Sequence, residues 1–333
     1  MTLDTTADVI EKCVRPVSRI LNGIGACTGL VMVLLVTVHV FSRALFKKPL
    51  IGTVELEELM IVILVFLGMA YTQVRRNHIS VDFFTMRLSE GMQNVLSVFT
   101  SFLTMVLLFA LSWQTLVLSK IYLSDGEATF QLQVPLFWVL WIIALGFFLF
   151  GLILLTDLLR QLAQARRDNR FGQGMVALCL AFFLAILPFF FGWLNYEPEM
   201  RLAQYFGVIG LLIFLFSGML IGPALGFLGY FGMASLFGTE AGLGLFQTVP
   251  YSMTASYGLC VIPFFILMGE LCFHAGLSEK LYAAAYKWVG HFRGGLSMAT
   301  VLACGAFSAV SGSSLATAAT LGAVSLPEMK KYN

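Results

Sequence analysis

Residues 296–326 read LSMATVLACGAFSAVSGSSLATAATLGAVSL. The run is apolar except at its centre, where Ser308 is followed by Ser311-Gly312-Ser313-Ser314 and then by Thr317 and Thr320. Two structures fit this pattern. In a single spanning helix the hydroxyls would bond back to carbonyls of their own helix, a common arrangement without functional content. In a re-entrant hairpin, Leu296 to Phe307 and Leu315 to Leu326 form two arms of about 18 Å each, at about 1.5 Å per residue, and the serine and glycine tip sits at the bilayer midplane. Irregular backbone at that depth is tolerated only where protein or a water-filled cavity covers it, and there free carbonyls and hydroxyls can replace the water shell of a sodium ion. On the hairpin reading the tip is an ion and substrate site.

The remainder of the chain calls for the same solvent. Of its 333 residues, 59% are hydrophobic and 11% charged, and the mean hydropathy is +0.88. That leaves too little polar surface to clothe a water-soluble globule, so lipid is the main solvent. Several runs reach the roughly 20 apolar residues that cross a hydrocarbon core of about 30 Å. They lack the alternation of barrel strands, so they are helices, which makes the fold class all-α integral membrane. The expected spans are Leu21 to Phe41, Leu56 to Val74, Val95 to Leu118, Val134 to Leu155 and Met175 to Trp193. The stretch Leu202 to Phe237 is too long for one helix and is expected to break at Gly222-Pro223. A further span covers Tyr251 to Phe273.

The start of the chain, Met1 to Arg19, is polar and mixed in charge rather than a cleavable signal, so the first span is expected to stay as an anchor. With the N-terminus in the cytoplasm, 15 lysines and arginines fall inside and 5 outside. This asymmetry favours the N-in orientation. A hairpin returns Lys330 and Lys331 to the inside, whereas a single span would carry them out, so the charge rule favours the hairpin. Ser278 to Arg293 alternates Leu281, Ala285, Trp288, Val289 and Phe292 with Lys280, Lys287, His291 and Arg293, which predicts an amphipathic helix in the inner interface. Gly276 would end the preceding helix and Ser278 would cap this one.

Other classes of function find little support. A net charge of +2, spread over many loops, gives no nucleic-acid footprint. His39, His78, His274 and His291 lack metalloprotease spacing, and no Walker-type loop is present, so neither a zinc enzyme nor an ATPase is expected. Six cysteines without a CxxC pair read as small core residues. No enzyme activity and no cofactor are expected.

The stretch from Pro263 to Lys331 resembles the large membrane (M) subunit of TRAP transporters, the tripartite ATP-independent periplasmic family. The carrying residues are Pro263-Phe264-Phe265-Ile266-Leu267-Met268-Gly269-Glu270, Gly276, Gly290-His291-Phe292-Arg293-Gly294-Gly295, Ser308 to Ser314, and Pro327 ahead of Met329-Lys330-Lys331. Upstream, Glu55 to Asp82 is similar to the small (Q) subunit, with Glu57-Glu58 opening a span, Phe66-Leu67-Gly68 within it, and Arg75-Arg76-Asn77-His78-Ile79-Ser80-Val81-Asp82 after it. Together these imply a fused protein: a Q-like domain of four helices over residues 1–171, a connecting span and outer loop over 172–200, and the N-terminal portion of an M-like domain over 201–333. A four-helix Q unit that starts inside also ends inside, while M units begin outside, so one added span must join them. The family pattern continues past this hairpin to a second one, so the M part is expected to be truncated, its remainder a further partner if it is encoded separately.

The resemblance implies a bacterial inner-membrane permease component in which inward sodium flow, an elevator motion of M and a periplasmic substrate-binding protein together import a carboxylate-bearing solute. Ser308, Ser311, Gly312, Ser313 and Ser314 match the first hairpin tip, which contributes to sodium and substrate sites. Alternatives are a non-transporting scaffold and an elevator carrier that needs no binding protein. Three carboxylates remain as coupling or interface residues. Glu57 and Glu58 open a span and either pair with a lysine or simply favour a helix N-terminus. Glu270 lies near an inner helix end, within reach of interfacial water or Arg293, or serves ion coupling. Arg75, Arg76 and His78 would fix orientation, or bind lipid headgroups or the M unit.

Overall fold

The computed structural model describes residues 3–81, 83–167, 171–193 and 200–312, with 317, 322 and 325. Twelve α-helices are formed among them: α1 (Leu3–Phe46), α2 (Thr53–Val74), α3 (Glu90–Asp125), α4 (Phe137–Arg167), α5 (Phe171–Trp193), α6 (Met200–Phe216), α7 (Ile221–Phe237), α8 (Thr239–Thr254), α9 (Tyr257–Cys260), α10 (Ile262–His274), α11 (Leu277–Val289) and α12 (Gly295–Ser311). The described residues contain no strand, only an isolated bridge between Ala128 and Pro135. The protein is all-α. Thr5–Phe46, Glu90–Asp125, Phe137–Arg167 and Tyr257–His274 are long and apolar enough to cross a membrane, and α2 adds 22 residues, about 33 Å.

The chain divides into two compact units, Met1–Ala255 and Ser256–Asn333. In the first, α4 is the central post, packed by α1, α2, α3 and α5. Val62 and Phe66 of α2 meet Val139, Leu140, Ile143, Phe147 and Phe150 of α4, with the Phe66 and Phe147 rings edge to face at 5.1 Å. Lipid offers no hydrophobic drive between helices, so close backbone approach and hydrogen bonds must hold them together. Both are present. A Cβ at Gly146 would collide with the Phe66 carbonyl, and one at Gly25 would sit 3.3 Å from the Leu64 carbonyl. Ser112 and Ser119 of α3 donate to the carbonyls of Ala144 and Phe137 at 2.9 and 3.0 Å.

The helices after α5 join the same unit. Phe214, Met219, Phe227, Tyr230 and Phe246 of the α6–α8 region close a second core against Leu103 and Leu107 of α3. Gln247 of α8 also donates to Gln114 of α3 at 2.9 Å.

The second unit holds α9 to α12. Tyr282 packs with Ala299, Ala303 and Phe307 of α12, and Leu281, Ala285 and Val289 pack around them.

Several expectations are corrected. The break in 202–237 falls at residues 217–220. Gly218 adopts φ 79°, and Met219 and Gly218 donate back to Phe214 and Leu215, a glycine C-cap that satisfies the last carbonyls of α6. Pro223 sits inside the first turn of α7, where its missing N–H has no helical partner to lose. The span expected from Tyr251 falls on three helices, the end of α8, the short α9 and α10, parted at 255–256 and at Val261, and α8 begins twelve residues earlier, at Thr239. The cap of α11 is Gly276, in a left-handed conformation, and the Ser278 hydroxyl is buried without a hydrogen bond. Trp288, 82% exposed, points away from the α12 packing face. Cys13, Cys27 and Cys179 are exposed rather than core residues, while Cys260 is buried.

Candidate functional site

The expected hairpin tip begins where α12 ends. α12 runs through Ser311, about 25 Å for its 17 residues, so Ser308 and Ser311 belong to its last turn and not to the turn that follows. Gly312 is the C-cap, at φ 62°, and its N–H donates to the Ser308 carbonyl at 3.0 Å. A Cβ there would lie 3.0 Å from the Phe265 Cβ, so glycine serves both the left-handed turn and the close approach of α10.

Ser308 Oγ lies 3.4 Å from Thr317 Oγ1. Nine residues of continuous helix would separate them by about 13.5 Å along the axis. Ser313 and Ser314 lie outside the described residues, as does nearly all of the expected second arm.

Glu270 is 60% exposed on α10, and its carboxylate lies 3.8 Å from His274 Nε2, one turn on. Glu57 is 6% exposed, on the face of α2 nearest His39, and Glu58 is half-buried beside it. The Thr53 hydroxyl donates to the Leu50 carbonyl at 2.9 Å and therefore accepts from His39 Nδ1 at 3.0 Å. No lysine pairs with Glu57 among the described residues.

The carboxylate that does the work at the start of α2 is Glu55, which sequence reasoning passed over. It accepts the backbone N–H groups of Gln131 and Leu132, at 2.6 and 2.9 Å, and pins the 126–136 loop, while Gln131 in turn accepts the N–H of Gly52. A lone glutamate in a first helical turn looks like a dipole partner, and nothing local to it reveals a loop 76 residues away.

The loop after α2 is fixed by three contacts. Arg75 donates to Tyr71 Oη at 3.0 Å, the His78 ring stacks on Phe150 at 4.8 Å, and the Ile79 carbonyl accepts from Ile221 N at 3.3 Å. Burial pushes the His78 imidazole below its ordinary value, partly offset by the Met69 carbonyl.

Comparison with known families adds the decisive observation. The model described as "Tripartite ATP-independent periplasmic transporters, DctQ component" matches residues 32–164, and that of the DctM component matches 208–333. The chain belongs to the tripartite ATP-independent periplasmic (TRAP) transporter family. It carries a Q-type part and an M-type part in one polypeptide, and it is a multi-pass protein of the inner membrane.

The sialic acid TRAP transporter permease SiaT of Haemophilus influenzae (strain 86-028NP) is 26% identical over 309 residues, 88% of this chain and 47% of that protein. The isethionate TRAP permease DctMQ of Oleidesulfovibrio alaskensis is 27% identical over 283 residues, 84% of this chain and 42% of its own length. A shorter match, 47% over 73 residues, is to the C4-dicarboxylate TRAP large permease DctM of Rhodobacter capsulatus, covering 22% of this chain and 17% of that protein. The chain thus spans about half the length of the fused relatives it matches. The TRAP Q-type match runs from the last third of α1 into the end of α4, and the M-type match opens inside α6.

Proposed function

We propose that this chain is the permease component of a sodium-coupled TRAP transporter that imports a carboxylate-bearing solute delivered by a periplasmic binding protein. The end of α12 at left-handed Gly312 and the 3.4 Å approach of Ser308 and Thr317 support the reading. A helix that stops inside a membrane protein presents the negative end of its dipole and its last carbonyls to whatever lies beyond. That is the polarity a sodium ion requires, and discontinuous helices supply it at the midplane of secondary transporters. Ser308, Ser311 and Gly312, with Ser313 and Ser314 after them, offer hydroxyl and carbonyl oxygens to the ion. The same hydroxyls, acting as donors, suit a carboxylate. Sodium is coupling ion and cargo, and alternating access moves the site between the two faces.

The relatives are named for sialic acid, isethionate and C4-dicarboxylates, which supports an organic anion as the solute class. The N-terminus is cytoplasmic in this proposal, as the lysine and arginine distribution requires. The domain division remains 1–171, 172–200 and 201–333. Glu270, exposed beside His274, and Glu57, buried near His39, are assigned to interface and packing before ion coupling.

The test is uptake in proteoliposomes containing this chain, a complementary M segment and a binding protein, under an imposed inward sodium gradient. The proposal expects accumulation that needs both sodium and the binding protein. Uptake without the binding protein would indicate an independent carrier, and no uptake in the complete mixture would indicate a scaffold; either result rejects the proposal.

A further inference from the structure

We propose that the outer face of α11 is a binding surface for the headgroups of anionic phospholipid. An amphipathic helix at a membrane surface ordinarily lays its apolar stripe into the lipid. In α11 that stripe is already used, since Tyr282 is buried in the core shared with α12 while Leu281, Ala285, Tyr286 and Val289 pack around it. At about 100° per residue these five positions cover one side of the helix. The opposite side carries Lys280, Ala283, Ala284, Lys287 and Trp288, all exposed. The face left for a partner is therefore basic with an aromatic edge.

Its place in the chain puts this face beside headgroups. Tyr257–His274 is long and apolar enough to cross a membrane, and α11 opens at Leu277, directly after the left-handed turn at Gly276. A helix that starts so soon after a span starts at the membrane boundary.

Charge gives the sign of the partner. Lys280, Lys287 and Arg293 make no hydrogen bond or ion pair among the described residues, and the one carboxylate of α11 is Glu279. Lys280 and Lys287 stand two turns apart along one line, about 10.5 Å. Only Ala283 and Ala284 lie between them on that face, so no long side chain keeps a phosphate from either ammonium.

The aromatic edge favours a lipid over a soluble anion. Trp288 is 82% exposed and Phe292 53%, beside the cations. An outward indole gains nothing from a dissolved phosphate, whereas tryptophan is enriched at the level where headgroups meet acyl chains. Lysine stems can lie along the same apolar layer while their ammonium groups reach the phosphates. Phosphatidylglycerol keeps its negative charge, but in phosphatidylcholine the headgroup amine cancels it. Each lysine or arginine near an anionic surface raises partition roughly fivefold.

This contact is independent of the sodium and solute reading. It is tested on the full chain reconstituted in phosphatidylcholine bilayers containing, at equal mole fraction, either brominated phosphatidylglycerol or brominated phosphatidylcholine. Bromine on the acyl chains quenches tryptophan on contact, and the fluorescence lost in Trp288→Phe isolates the share of Trp288 among the five tryptophans. Brominated phosphatidylglycerol is expected to quench that share more strongly, and the combined change Lys280→Gln and Lys287→Gln should reduce the preference at least about fivefold. Both lysines are exposed, so this variant should keep the parent melting temperature. Raising the salt concentration should also lower the preference in the unmodified chain, a readout that needs no lysine variant. Quenching by neither lipid would mean that water or protein covers the face, and equal quenching by both would mean lipid contact without headgroup selection. Loss of the preference on adding glycerol 3-phosphate would assign the cations to a soluble anion. Any of these results, or an unchanged preference in the lysine variant, overturns the proposal.

Discussion

Gly312 and Gly305 lie seven residues apart on the same stretch of chain and behave oppositely for reasons that can be measured. At Gly312 any side chain meets a left-handed backbone and the Phe265 Cβ at 3.0 Å, so Gly312→Ala should lower stability by about 1–2 kcal/mol, read as a fall in melting temperature. Gly305 is helical with open space around its missing Cβ, so Gly305→Ala should be neutral or gain about 0.5–1 kcal/mol. His78 gives a second prediction at this scale. Its folded-state value is depressed by burial, so as pH falls through about 6.5 the unfolded chain takes up a proton first and the folded state loses stability. The loss continues until the lowered folded value is passed. Melting temperature should therefore fall more for the parent protein than for His78→Phe between about pH 7.5 and about pH 5.5. The polar break at the end of α12 was legible in the sequence as serines and a glycine interrupting an apolar run. Their distribution between helix end and turn was not, because helix termination is decided by the φ of one glycine and by a contact with α10.

The helices show where pattern reading succeeds and where tertiary context prevails. Apolar length alone located the cores of α1 to α5, since lipid imposes the same demand on every span. It placed the α6–α7 break at Pro223, which the structure accommodates in a first turn while Gly218 makes the actual stop. It passed over α8, whose Gln247 and Thr248 look like loop residues until Gln114 of α3 supplies a partner for the amide. Helix contacts in this unit depend on missing side chains, and the α2–α4 seam is the tightest. A Cβ at Gly146 would strike the carbonyl of Phe66, a backbone atom that cannot rotate away. Gly146→Ala should destabilise the protein by about 1–3 kcal/mol in thermal melting, whereas Gly23→Ala on α1, with nothing within 4 Å, should not.

At the scale of the whole molecule, the Q-type helices and the first M-type helices form one compact unit ending at Ala255, while the turn-bearing segment belongs to another. The fused organisation was readable because separate motif blocks occur in the family's order. The compact division inside the M-type part was not, since it depends on Phe214, Phe227 and Phe246 choosing α3 as their partner. The functional account stands on the chain reversing at Gly312, so that both arms enter the membrane from the cytoplasm. The direct measurement is labelling by an impermeant maleimide in right-side-out vesicles, in a variant without the six native cysteines, carrying either His291→Cys or Lys330→Cys. Both positions are predicted to stay unlabelled until the vesicles are permeabilised. Labelling of Lys330→Cys from outside, with His291→Cys still protected, would contradict the hairpin and the ion site built on it.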